Sequence, residues 1–80
     1  MSNVTLYTRA GCCLCQEAKR VLEAARKQVA FDFEEIDIDR HPELLAIYNE
    51  EVPVIAIDGR KAFKYRIRME EFLRKLAARA

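Results

Sequence analysis

The stretch "YTRAGCCLCQEAKRVL", Tyr7 to Leu22, holds Cys12, Cys13 and Cys15, and the 80-residue chain has no fourth cysteine. Three thiols in four positions can serve as a disulfide staple, a metal claw, a redox pair with a bystander, or small core residues. The neighbouring residues say where they stand. Asn3–Thr8 is short, β-branched and apolar, and reads as a strand. Gly11 breaks it with the backbone freedom that a sharp turn needs. Apolar residues then recur at Leu14, Ala18, Val21, Leu22, Ala25 and Val29, which predicts a helix from Cys13 to about Val29. The thiols therefore sit where a strand meets a helix. Cys12 takes the N-cap or first helical position, where free N–H groups and the positive end of the helix dipole stabilise a thiolate. Arg9 adds positive charge nearby. Cys15 lies one turn further in, more shielded, at an i, i+3 spacing that lets two sulfurs bond. Disulfide exchange needs a thiolate that attacks and a second thiol that resolves the mixed disulfide. Cys12 and Cys15 are the candidates for those two roles.

Cys13 points about 100° away from Cys12 on a helix, and vicinal cysteines bridge only with strain. It is a solvent-facing bystander, a modulator of the pair, or a third metal ligand. A closed structural zinc site wants four ligands. The only histidine, His41, stands beside Pro42, where a surface or capping role suits it. A zinc or iron–sulfur site within one chain is thus short of ligands. A site shared between two chains would make the protein a metal-binding or cluster-transfer module instead.

The remaining elements must hold this junction in place. Phe31–Asp39 reads as a second strand whose alternation slips between Phe33 and Ile36, predicting a bulge or an early end. "DRHPELLAIYN" carries a short helix with Asp39 or His41 as cap, Pro42 in its first turn, and Leu44, Leu45 and Tyr48 as its buried stripe. Val52–Asp58 is a continuous apolar run, as in a strand covered on both faces. Asp58-Gly59 signals a hairpin. Lys61–Ile67 then alternates, with Phe63, Tyr65 and Ile67 on one side. A last helix from about Met69 puts Met69, Phe72, Leu73 and Leu76 on one face. The order β-α-β-α-β-β-α predicts one α/β domain over residues 1–80, a four-stranded mixed sheet with three helices on both faces. Strands separated by helices are expected to pair in parallel, and the closing hairpin adds an antiparallel edge.

The net charge of +1 conceals three blocks: +3 over residues 1–30, −8 over 31–58 and +6 over 59–80. The basic end reads as a solvated helix face and a basic edge. Aromatic residues do not interleave with the basic ones in the last helix as a nucleic-acid stacking platform would need, which favours that reading. No basic leader precedes an apolar stretch, and no apolar run approaches the roughly 18 residues of a membrane span. The expectation is a cytoplasmic protein without membrane or nucleic-acid partners. In that compartment close cysteines do catalysis or bind metal more often than they staple a fold.

"YTRAGCCLCQEAK" resembles the glutaredoxin active-site frame, a Tyr-Thr/Ser-Lys-Pro-Gly-Cys-Pro-Tyr-Cys pattern followed by a helix. The element order is that of the thioredoxin fold, and "VPV" at Val52–Val54 is similar to the Val-Pro step before the third strand of that fold. The likeness covers nearly the whole chain and is greatest to small glutaredoxin-like proteins with a Cys-Cys-x-Cys site. It implies a dithiol–disulfide oxidoreductase in which Cys12 attacks and Cys15 resolves. It also implies a cis Pro53 whose loop lies against the cysteines, and a Val52 backbone that pairs with a bound thiol peptide. Substrates would be disulfides of proteins or small molecules. No cofactor would be bound, and electrons would come from glutathione or a thioredoxin-reductase-type flavoenzyme. The protein is expected to act as a monomer. Four departures are visible. Cys13-Leu14 replaces Pro-Tyr, Ala10 replaces the proline before the glycine, and Glu51, behind Glu50, replaces Thr or Ser before Val-Pro. "FKYRIRMEE" stands where the family has a glycine pair and an aspartate that receive the glutamyl end of glutathione. Glu50 and Glu51 are expected to repel that anionic tripeptide, and Arg66 and Arg68 to attract its carboxylates.

Overall fold

The computed structural model describes residues 2–48 and 51–79. Its elements run β1 (Asn3–Thr8), α1 (Cys13–Arg26), β2 (Asp32–Asp37), a turn of 3-10 helix (Ile38–Arg40), α2 (Pro42–Tyr48), β3 (Val54–Ile57), β4 (Arg60–Lys64) and α3 (Met69–Arg79). The four strands form one sheet in the order β2-β1-β3-β4. The α/β architecture and its β-α-β-α-β-β-α order are those expected.

The pairing differs in one respect. β1 and β2 are parallel, but β3 runs antiparallel to β1 as well as to β4. After β2 the chain folds back through the 3-10 turn and the two turns of α2, and β3 starts from the end of the sheet where β2 stopped.

Alternation along β1 separates two faces. Val4 and Leu6 are fully buried and join Ile55 and Ile57 beneath α1 and α3, where Ala18, Leu22, Phe72 and Leu76 close the core. Phe31 and Phe72 meet edge-on with centroids 5.5 Å apart, a favourable quadrupole arrangement. Tyr7 points to the opposite face and packs on Tyr48 of α2 at 4.8 Å. Helices therefore cover both faces. β3 lies between two strands and under both layers, and all four of its residues are buried.

Several boundaries are shorter than the sequence pattern predicts. α1 ends at Arg26, because Gln28 and Val29 both donate to the carbonyl of Ala25, closing the last turn. Val29 is then 38% exposed and not part of the stripe, and the next apolar residue to enter the core is Phe31. β2 ends early at Asp37, and its register with β1 is unbroken. The irregularity lies instead between Ile55 and Ala56 in the β3–β4 pair. At α2 the backbone carbonyl of His41 receives the first N–H groups, from Leu44 and Leu45, so the cap is His41 and not Asp39. Asp58 and Gly59 both have positive φ, 52° and 84°, the turn that matches the twist of a two-residue hairpin. Tyr65 also has positive φ, 67°, so the alternation of β4 stops at Lys64 and Tyr65 leaves the buried side.

Candidate active site

The sheet order brings three chain segments to one end of the molecule. β1 runs into the cysteine loop there. The β1–β3 register, Tyr7 opposite Val54, places Pro53 and Val52 beside Thr8 and Arg9 when continued. The β1–β2 register ends with Thr8 opposite Asp37, which brings the 3-10 turn to the same place. The Val52–Pro53 peptide is cis, as the resemblance implied. Pro53 is buried, and its carbonyl accepts from the Tyr65 N–H at 2.8 Å.

Gly11 turns the chain at φ 77°, a conformation that costs glycine little. Cys12 then caps α1 with extended backbone, φ −94° and ψ 112°. Its Sγ accepts the Cys15 N–H at 3.2 Å, so one of the orphan donors of the first turn is aimed at sulfur. Cys12 is half-buried, Cys13 is exposed at the first helical position, and Cys15 is buried, 3% exposed. None is bonded to another.

Cys15 has a dense set of neighbours. Burial pushes its thiol above the ordinary value, and its hydrogen bond to Cys12 pushes the same way. The Thr8 hydroxyl and the Arg9 backbone N–H also bond the Cys15 sulfur and pull in the opposite direction, without reversing the net rise. Cys15 is thus held as a protonated thiol beside Cys12, with two donors ready to receive charge when the proton leaves. Thr8 was not singled out from the sequence. Its signal was positional, the last residue of the strand leading into the cysteine loop.

The other candidate residues divide between two flanks. A cleft of about 670 Å³ opens on the β2 side, with Arg9, Cys12, Cys15, Lys19 and Asp37 in its wall. Its charges are largely paired, Arg9 with Asp39 at 3.0 Å and Lys19 with Glu35 at 3.3 Å. The Arg9 side chain therefore shares its charge with a carboxylate, and its backbone is what reaches Cys15. A smaller hollow of about 180 Å³ lies on the opposite flank, where Arg66 and Arg68 meet Leu14 and Glu17 of α1. Glu51 is not the repelling carboxylate expected. Its Oε1 lies 2.9 Å from Lys61 Nζ and 3.8 Å from Lys64 Nζ, and these cations hold its carboxyl below the usual range. β4 supplies both lysines, which the local sequence around Glu51 does not reveal. Glu50 lies outside the described residues. Among the described residues, no group of three or more His, Cys, Asp or Glu side chains is arranged to hold a metal ion. His41 is exposed, 3.7 Å from Glu43.

Residues 3–77 match the family model of the glutaredoxin-like domain (DUF836). The chain belongs to this glutaredoxin-like family. It is 38% identical over 71 residues to a glutaredoxin-like protein of Dictyostelium discoideum, covering 81% of this chain and 66% of that one. The chain thus spans just under two thirds of that relative. The crystal structure of target protein XcR50 from X. campestris superposes with a TM-score of 0.79 at 32% identity, covering 94% of this chain and 96% of that one. Fasciola hepatica thioredoxin shares the fold alone, with a TM-score of 0.69 at 19% identity over 99% of this chain and 81% of that one. This glutaredoxin-like domain therefore has the thioredoxin fold. No helix among its described residues is long and apolar enough to cross a membrane.

Proposed function

We propose that the protein is a dithiol–disulfide oxidoreductase that reduces disulfides of proteins or small molecules. The observation that carries this reading is the asymmetric pair at the start of α1. Cys12 is half-buried and accepts an N–H at 3.2 Å, while Cys15 lies beneath it as a buried thiol hydrogen-bonded to Cys12. The Cys12 thiolate attacks one sulfur of the substrate disulfide, forms a mixed disulfide and expels the other sulfur as a thiolate, which takes a proton from water. Cys15 then gives up its proton and attacks Cys12 Sγ. The second substrate sulfur leaves as a thiol, and the protein holds a Cys12–Cys15 disulfide. Two electrons and two protons have passed to the substrate. Thr8 and the Arg9 N–H stabilise the charge that appears on Cys15 during the second step.

The cis Pro53 loop, with Val52 ahead of it, forms the substrate-facing wall beside the pair, and Val52 offers backbone groups to an extended peptide. Exchange needs no bound cofactor. Glutathione or a thioredoxin-reductase-type flavoenzyme returns the electrons, in the reducing setting of the cytoplasm, and one protomer suffices for the chemistry. The test is turnover of a model disulfide with each reductant. Cys12→Ser should abolish it, and Cys13→Ser should keep it within a few-fold. Full activity in Cys12→Ser, or equal loss in Cys13→Ser, contradicts the assignment.

A further inference from the structure

The flank formed by the β4–α3 loop is unlike the other in how its charges are satisfied. Tyr65 sits at φ 67°, and its neighbours close a tight turn across it, with Arg66 N–H donating to Lys64 O at 2.8 Å. This γ-turn geometry is rare for a residue other than glycine. It is pinned from the other side by the 2.8 Å bond from Tyr65 N–H to the Pro53 carbonyl. Beyond the turn, Ile67 packs against the core and fixes the loop, while Arg66 and Arg68 on either side of it are exposed. Neither guanidinium forms a salt bridge with a described residue. Glu51, the nearest described carboxylate along the cis-proline loop, is already held by Lys61 and Lys64. Lys64 also lies 5.4 Å from the centre of the Tyr65 ring, which is 44% exposed.

The hollow between this loop and α1 begins at Leu14, two residues along the helix from Cys12. It offers Leu14 and Tyr65 as apolar contacts and Arg66 and Arg68 as cations, against the single carboxylate of Glu17. A guanidinium presents a planar fork suited to carboxylates, and unpaired cations beside a reactive atom raise the encounter rate of an anionic partner. We propose that this flank is a docking groove for an acidic segment of a disulfide-bearing protein substrate, which delivers its disulfide to Cys12. The proposal rests on the oxidoreductase reading and names its substrate class. The chemistry is the exchange already written, with the substrate disulfide reduced and the Cys12–Cys15 pair oxidised.

The experiment is single-turnover reduction, by the pre-reduced protein, of three peptides that share one disulfide core and differ only in acidic, uncharged or basic flanks. At low ionic strength the acidic peptide should react about ten times faster than the uncharged one and the basic one slowest, an advantage that collapses at high salt. Arg66→Glu with Arg68→Glu should bring the acidic-to-uncharged ratio below one. Arg26→Glu with Lys27→Glu, which alters net charge equally but at the far end of α1, should leave that ratio within two-fold. Glu17→Gln should raise it. Equal rates for the acidic and uncharged peptides, or a preference that survives reversal at Arg66 and Arg68, overturns the groove. Failure of all three peptides to be reduced overturns the oxidoreductase reading itself and the groove with it.

Discussion

The two flanks of the cysteine pair dispose of their charge differently. On the β2 side, cations and carboxylates pair with one another, Arg9 with Asp39, Lys19 with Glu35 and Arg40 with Asp37. On the β4–α3 side, Glu51 is taken up by two lysines, and Arg66 and Arg68 have no salt bridge to a described residue. Exposed ion pairs of this kind stabilise a fold by only about 0–1 kcal/mol each. Their larger consequence is selective: they decide which charges remain for a partner. The acidic block of the sequence is therefore electrostatically quieter than its −8 suggests, and the basic block keeps Arg66 and Arg68, without a salt bridge to any described residue, next to the helix that carries the thiols.

The largest effect expected is at the sulfurs between the flanks. Cys15→Ser removes the resolving thiol and should drive the protein into mixed disulfide with its substrate, visible as a mass increase that a strong dithiol reverses. Next comes Thr8→Val, which deletes one of the donors to the Cys15 sulfur. Resolution should slow by about ten-fold, the scale of losing ~1.4 kcal/mol of charge stabilisation, and the mixed disulfide should persist in quench-flow samples. Unchanged resolution would mean that the hydroxyl does not face the developing charge.

Glu51→Gln sharpens the contrast between the flanks, because it releases Lys61 and Lys64 onto the basic side. Reduction of an acidic peptide should rise two- to three-fold at low salt and be indifferent at high salt. The pH dependence of stability tests Cys15. Its thiol is raised in the folded state, chiefly by burial, so unfolded chains lose that proton at lower pH than folded ones. Below the ordinary thiol range both states hold the proton and the shift has no effect. As pH rises through that range the unfolded state binds fewer protons, so the stability of the reduced protein should fall. Urea midpoints for Cys15→Ala should decline less steeply than for the parent over the same interval. The smallest effect is expected on the paired flank. Lys19→Gln with Glu35→Gln should change the unfolding free energy by no more than ~0.5 kcal/mol, and a loss above ~2 kcal/mol would show that this side is not simply a self-compensated surface.

The sequence was most informative where geometry is local. β1 and the start of α1 fall where the residue pattern puts them, and Asp58-Gly59 makes its turn because positive φ is needed at both positions. The cis Pro53 followed from the family likeness and not from any periodicity. What the pattern could not carry depended on distant partners. Val29 continues the helical spacing, yet the chain leaves the helix before it and the core is filled by Phe31 instead. Tyr65 continues an alternation, but its N–H is claimed by Pro53 across the sheet, and the chain turns there. Glu51 reads as a repelling charge until β4 brings two lysines against it. Antiparallel entry of β3 was hidden for the same reason, since it depends on where the segment between β2 and β3 leaves the chain and not on the residues of β3.

The account turns on Cys12 being the sulfur that attacks. The most direct measurement is peptide mapping by mass spectrometry of Cys15→Ser after brief reaction with a substoichiometric disulfide at neutral pH. The account predicts the adduct on Cys12, with Cys13 free although it is the more exposed thiol. An adduct found mainly on Cys13, or spread evenly between the two, would contradict it.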